Sequence, residues 1–264
     1  MATKKNDYNS IIDAINKTNN SNFVDIYVPS IDKTVKFKPL TVQHQKKIIT
    51  AALEATAVNA THYAILTSNL IKESCVDPDI TFSSIDRLPV LVGLRVNTLG
   101  YDVPTLNSSG DKVFHNIKSL HNNFQSFKIP KGMLEPKTIK ANNIAVTIQP
   151  PTLDVDIEVN NKALPVVSKH AKDSDTFKNI VGEAVVYEYV KYIKSLKIED
   201  KLIEFNHKHA TKLTQIVEAL PMTVVSDIVQ EINKIKEYTD RFTTLKHGDN
   251  VFNIITDARF FSSD

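Results

Sequence analysis

The spacing of apolar positions changes three times along the first hundred residues, and each change predicts a different element. Residues 1–21 are polar and rich in Asn and Lys, except for Tyr8, Ile11, Ile12 and Ile15, whose spacing predicts one amphipathic helix in a frayed tail. From Phe23 the pattern alternates, with Phe23, Asp25 and Tyr27 on one face and Val24, Ile26 and Val28 on the other. It resumes over Thr34–Lys38 after Pro29-Ser30-Ile31-Asp32-Lys33. Two short strands around a Pro/Ser/Asp turn predict a β-hairpin. Pro39 ends the second strand, Thr41 can cap a helix, and Val42, Ile48, Ile49, Ala52 and Leu53 follow at helical spacing. A further helix runs through Tyr63, Leu66, Leu70 and Ile71, and both helices are expected to pack on the hairpin. The run Val90–Val96 fits either a third helix or a buried strand. The helix is preferred because Ser83 or Ser84 can cap it and Leu91, Leu94 and Leu99 fall near one face.

Residues 101–142 break this regularity with Pro104, Gly110, Pro130, Gly132 and Pro136 among many Asn, Ser and Lys residues, and read as a loop or linker. Beyond it, Ile144–Gln149 and the alternating Leu153–Val159 predict a second pair of strands separated by Pro150-Pro151-Thr152. Three helical faces follow: Phe177 to Leu196, Leu202 to Leu220, and Val225 to Phe242, with Pro221 dividing the last two. Asn250–Thr256 alternates like a short strand before the aromatic pair Phe260-Phe261. The expected architecture is α+β. An N-terminal hairpin-plus-helices lobe occupies residues 1–100, a Pro/Gly-interrupted linker 101–142, and a short β-unit with a helical C-terminal lobe 143–264.

Composition narrows the function more than the fold. In 264 residues there is one cysteine, Cys75, so an intramolecular disulfide and any zinc site built on paired cysteines are excluded, and a reducing place of synthesis is expected. No apolar run approaches the roughly 20 residues that span a bilayer, and no apolar segment follows the basic N-terminus, so neither membrane insertion nor export is expected. Lys and Arg number 32 against 30 Asp and Glu, which gives little field to attract nucleic acid. Six glycines leave little material for phosphate-cradling loops.

A search for chemistry-bearing patterns leaves bland readings in place. His207 and His209 lie two apart on an expected helix and diverge by about 200°, and His115 and His121 sit in the expected loop with no carboxylate at a ligand spacing. Cys75 stands beside Asp77 and Asp79, whose charge disfavours a thiolate. Asp154 and Asp156 share one side of the expected strand and are read as its wet face, with Val155, Ile157 and Val159 toward the core. No nucleophile elbow, P-loop, dinucleotide fingerprint or zinc helix is present. Lys112, Lys118, Lys128, Lys131, Lys137 and Lys140 form a basic stretch that could contact phosphates, but a solvated or protein-docking loop is the preferred reading. No catalytic residue, cofactor, metal or small-molecule substrate is expected.

The order Val24–Ser30, Lys33–Thr41, Gln45–Ile49 and Ala52-Leu53-Glu54, followed by Glu73-Ser74-Cys75, Ile85–Pro89 and Leu94–Gly100, resembles the baseplate proteins of T-even-like contractile-tailed bacteriophages. That family includes the baseplate hub subunit and the hub assembly catalyst. Thr147–Pro151 and the C-terminal helices echo it more faintly. The resemblance implies a non-enzymatic tail protein whose partners are other baseplate or hub proteins. It would lie in the host cytoplasm during assembly or in the virion tail baseplate. The alternative is a nucleic-acid-associated accessory protein using the basic 112–140 stretch. Pro29, Phe37, Pro39, Arg95, Pro150 and Pro151 are the matched positions. They are read as hairpin turn, core aromatic, helix start, a charge pair across helices, and the prolines between the later strands. Family members can carry paired cysteines near the C-terminus where this chain has Thr244–Val251. The resemblance therefore implies that Phe252, Ile254, Phe260 and Phe261 hold that end by packing.

Overall fold

The computed structural model describes residues 8–19, 22–52, 56–106, 109–170, 177–240, 244–247, 250–253 and 258–261. After an amphipathic helix α1 (Tyr8–Asn19) whose Tyr8, Ile11, Ile12 and Ile15 are exposed, the hairpin forms as antiparallel β1 (Val24–Val28) and β2 (Lys33–Phe37). Register places Val24 opposite Phe37 and Ile26 opposite Val35, so the apolar face is the expected one. A 3₁₀ turn over Pro29–Ile31 closes it at Asp32, whose φ of 50° is left-handed. Asp is one of the residues that tolerate that conformation. Asp32 is fixed there by the Tyr27 hydroxyl, which donates to it at 2.5 Å, and by Lys128.

Helices α2 (Val42–Ala52), α3 (Thr56–Ser74) and α4 (Arg87–Leu99) follow as the pattern predicts. Thr41 caps α2, accepting the His44 N–H while its own N–H donates to His44 Nδ1 at 3.1 Å. Ser83 caps the 3₁₀ turn Ser84–Asp86 that opens α4, through a capping box with Asp86. Helix α4 lies on β1 so closely that a Cβ at Gly93 would meet Ile26 Cγ2 at 2.7 Å. A side chain at this position would therefore have to displace that of Ile26.

Residues 101–142, expected as a loop or linker, hold a hairpin of β3 (Asp102–Leu106) and β4 (Lys112–Asn116), helix α5 (Lys118–Gln125) and strand β5 (Lys137–Ala141). Val103, Ile117, Leu120, Phe124 and Phe127 join the first core from this stretch. Apolar residues are too sparse here to show a period, so the segment reads as linker from composition alone.

Two further expectations are corrected. Leu153–Val159 is not a strand but the first turns of α6 (Leu153–His170). Thr152 Oγ1 accepts the Val155 N–H, and Asp154 and Asp156 in the first turn complement the helix dipole. Buried positions recur at Leu153, Asp156, Asn160, Ala163 and Val167, a helical repeat that the alternation of 153–159 conceals. Likewise α7 (Phe177–Tyr192) stops short of Leu196. Residues Ile193–Ile198 and Lys201–Glu204 are strands β7 and β8, turned through Glu199 at a φ of 53°. With β6 (Ile144–Ile148) they complete a four-stranded antiparallel sheet in the order β5-β6-β7-β8. Helices α8 (Ala210–Glu218) and α9 (Met222–Asp240) flank Pro221 as expected.

The chain ends with a separate hairpin, β9 (Thr244–His247) paired to β10 (Asn250–Asn253), and a 3₁₀ turn over Ala258–Phe261. Phe260 and Phe261 are buried, as the packing expectation required. The Phe252 side chain and Ile254 lie outside the described residues.

Two cores result. The first gathers the N-terminal hairpin, α3, α4, α5 and the C-terminal aromatics, and the second gathers the four-stranded sheet with α6 to α9. They meet where α3 packs along α6 and where residues 82–84 pair with 151–153. In that seam Ser84 N–H donates to the Pro151 carbonyl at 2.8 Å and Leu153 N–H to that of Phe82 at 2.9 Å.

Candidate functional site

The densest polar arrangement lies at this seam. Asp156 is 3% exposed, although the sequence pattern placed it on a wet face. As a helical residue it is rotated about 200° from Asp154. Asp154 stays exposed and pairs with Lys72, while Asp156 turns inward. Its Oδ2 accepts from Arg87 Nη2 and from Ser68 Oγ at 3.3 Å, and its Oδ1 lies 3.0 Å from Lys191 Nζ. Lys191 also reaches Glu188 at 2.5 Å, and Glu188 takes Lys236 at 2.9 Å on its other oxygen. Charges thus alternate from Arg87 through Asp156, Lys191 and Glu188 to Lys236, joining α4, α6, α7 and α9, with Ser68 of α3 attached.

The electrostatics explain why these groups stay ionised. Burial would raise the Asp156 carboxyl, but Arg87 and Lys191 outweigh it and hold it below the ordinary carboxylate range. Glu188 faces the same burial penalty and is brought down to about 2 by Lys191 and Lys236. Burial works against the Lys191 ammonium, yet its two carboxylates raise it above its ordinary value. None of the three is poised to exchange a proton near neutral pH, which is what acid–base catalysis requires.

Beside the cluster opens a cleft of about 370 Å³, walled by Ala60 and Ala64 of α3, Ala163 of α6, Ala184 of α7, and Pro151. Asn160, one turn beyond Asp156, lines it too, and its Nδ2 is buried with no hydrogen-bond partner among the described residues.

The matched family positions fall elsewhere. Pro29 starts the hairpin turn, Phe37 sits in the first core with its ring 5.9 Å from that of Phe82, and Pro39 is half-buried ahead of α2. Pro150 and Pro151 are buried at the seam. Arg95 does not form the expected charge pair across helices. Fully buried, it donates from Nε to the Phe260 carbonyl at 3.0 Å, from Nη2 to that of Asp102 at 2.5 Å, and from Nη1 to that of Gly100.

The remaining candidates are occupied structurally. His115 lies in β4 and His121 in α5, not in a loop. His115 Nε2 is 2.7 Å from Thr105 Oγ1, and the His121 ring meets Tyr101 edge-on at 5.9 Å. His207 and His209 belong to a 3₁₀ turn, with His207 Nε2 3.1 Å from the Val190 carbonyl. Cys75 is buried and donates to the Asp77 carbonyl at 3.1 Å, and burial raises its thiol pKa, with the Asp77 charge adding to it. Of the basic stretch, Lys128 pairs with Asp32, Lys137 with Glu231 at 2.5 Å, and Lys112 lies over the Phe114 ring. Among the described residues no group of His, Cys, Asp and Glu is arranged to hold a metal ion, and no helix is long and apolar enough to cross a membrane.

Asp86 carries the first prediction. Its carboxylate, fully buried, accepts from Ser30 N–H, Ser30 Oγ–H and Ser83 N–H, and so ties the hairpin turn to the start of α4. Burial outweighs these donors and pushes its pKa from 3.8 up to about 6. The folded state therefore holds a proton that the unfolded state has released, and stability falls as pH rises from near 4 through about 6. The loss attributable to this group is about 3 kcal/mol. Asp86→Asn should remove that slope when unfolding free energies of the two proteins are compared across this range. Parallel profiles would discard the assignment.

The model of the family described as T4 bacteriophage base plate protein matches this chain over residues 20–242. No curated protein and no solved structure matches significantly.

Proposed function

The chain belongs to the T4 bacteriophage base plate protein family, and from that premise we propose that it acts in assembly of the baseplate hub through protein–protein interfaces. It does so either as a hub component of the virion or as an assembly factor that leaves. In both versions it is non-enzymatic: it holds partners in docking geometry and so lowers the barrier to their association, with no covalent step.

The observation that carries this reading is the placement of exposed apolar side chains. Leu106 and Phe114 on the β3–β4 hairpin, Leu202 and Ile203 on the edge strand β8, and Ile11, Ile12 and Ile15 on α1 stand in solvent, while the buried charges are spent on internal pairs. Exposed apolar side chains on hairpins and edge strands suit partner recognition. The nucleic-acid alternative has less support, since two of the six lysines it would use are paired with carboxylates.

Co-expression with the hub proteins of the same phage, followed by affinity purification, should recover a complex with at least one of them. Recovery of none would reject both versions. Mass spectrometry of purified particles separates the two, because absence at hub stoichiometry would leave only the assembly factor.

A further inference from the structure

The cleft beside the charge cluster is walled from both halves of the molecule. Helix α3 and the start of α4 form one side of it, and α6 and α7 form the other. Where these elements face one another the chain places Ala60, Ala64, Ala163 and Ala184, whose small side chains leave the space open. Its volume of about 370 Å³ falls in the range of small-molecule sites.

Four ionised groups line the cleft, and their charges cancel. Arg87 and Lys191 stand against Asp156 and Glu188, each of them already paired. No net charge in the lining therefore selects an anion or a cation. What the cluster leaves over is donors. Arg87 gives Nη2 to Asp156 and Ser68, while its Nε is buried with no acceptor among the described residues. Asn160 is 4% exposed, and its Nδ2 is likewise without an acceptor there. Buried donors left unmade are costly, and two of them beside one opening call for an oxygen.

We propose that this cleft binds a small neutral molecule with an apolar body and one oxygen acceptor, of the class of amides, ketones and esters. The oxygen takes the N–H groups of Asn160 and Arg87, and the body lies against the alanines, Pro151 and the Tyr187 and Tyr192 side chains. The terminal torsion of an asparagine is soft, so a small rotation turns the Asn160 donor toward the cleft. A carboxylate in the same place would meet Asp156 and Glu188, and an ammonium would set hydrogens against hydrogens. Because its walls come from both halves, the occupied cleft ties one core to the other.

Benzamide, benzoate and benzylamine, nearly equal in shape, serve as probes, titrated at millimolar concentration into the isotope-labelled full chain and followed by nuclear magnetic resonance. Benzamide should shift the backbone resonances around Ala64, Asn160 and Ala184 and raise the melting temperature. The two charged probes should bind at least about tenfold more weakly, since each brings an unpaired charge into a partly buried site. Ala184→Leu, which fills the cleft, should abolish the benzamide shifts. Asn160→Leu separates a binding role from a structural one. It removes the unmet donor at similar volume, so the ligand-free protein should melt no lower than the wild type, while benzamide affinity falls at least about tenfold. No shift with benzamide, the cleft then holding water only, would overturn the proposal. So would equal binding of the three probes, undiminished binding to the Ala184→Leu chain, or a lower melting temperature of Asn160→Leu with benzamide affinity unchanged.

Discussion

Replacing Asp156 with alanine is expected to cost about 3–5 kcal/mol of unfolding free energy, the range for removing one partner from a buried ion pair. The size follows from what remains. Lys191 is only 7% exposed, and without Asp156 it keeps Glu188 alone, while Arg87 faces Ser68 with no carboxylate. Replacing Asp156, Arg87 and Lys191 together by Leu, Met and Met should recover much of the loss, because the penalty comes from uncompensated charge. Urea unfolding of the wild type, the single and the triple variant measures this directly. A single-variant loss below about 1 kcal/mol would mean that the cluster behaves like exposed surface pairs. The same cluster predicts acid sensitivity. Asp156 and Glu188 are held low in the folded state, so their contribution is present above the ordinary carboxylate range and is lost as pH falls toward about 2. Asp86 has the opposite sign, so these three groups together favour an optimum in the mildly acidic range.

Arg95→Met should be nearly as damaging. It leaves the buried Phe260 carbonyl without its donor, at about 1–3 kcal/mol, and removes two part-buried bonds to the Gly100 and Asp102 carbonyls and the packing of the guanidinium. A net loss near 4 kcal/mol corresponds to a melting-temperature drop on the order of 10 °C for a chain of this size. Arg95→Lys should recover only part of it, since an ammonium cannot serve three diverging acceptors as a planar guanidinium does. Limited proteolysis offers a second reading: cleavage beyond residue 240 should become the first event in the Met variant. Unchanged cleavage order would show that the aromatic pair alone holds the tail.

What could be read from the residues divides by range. The first hairpin, its turn, α2, α3 and α4 were legible because each is specified within about ten residues: alternation, a Pro/Ser turn, Thr41 and Ser83 as caps. Leu153–Val159 misleads because alternation of Val and acid over seven residues also satisfies a helical i, i+4 pair, Val155 with Val159. The better signal was local as well: Thr152 ahead of two acidic residues is a helix start. The hairpin of β7 and β8 was hidden by leucines and isoleucines that suit either period. The charge cluster was out of reach in a stronger sense. Asp156 is buried because Arg87 and Lys191 arrive from other helices, and no window around residue 156 contains either. Arg95 gave a usable hint, an arginine inside the apolar run Val90–Val96, but the acceptor at Phe260 lies at the far end of the chain.

The pairing of residues 82–84 with 151–153 has a mechanical side. Its two backbone hydrogen bonds sit within a few residues of the Arg87–Asp156 contact, and both bridge the same two cores. A pull that separates the halves would therefore load both together, in parallel with the α3–α6 packing that also joins the two cores.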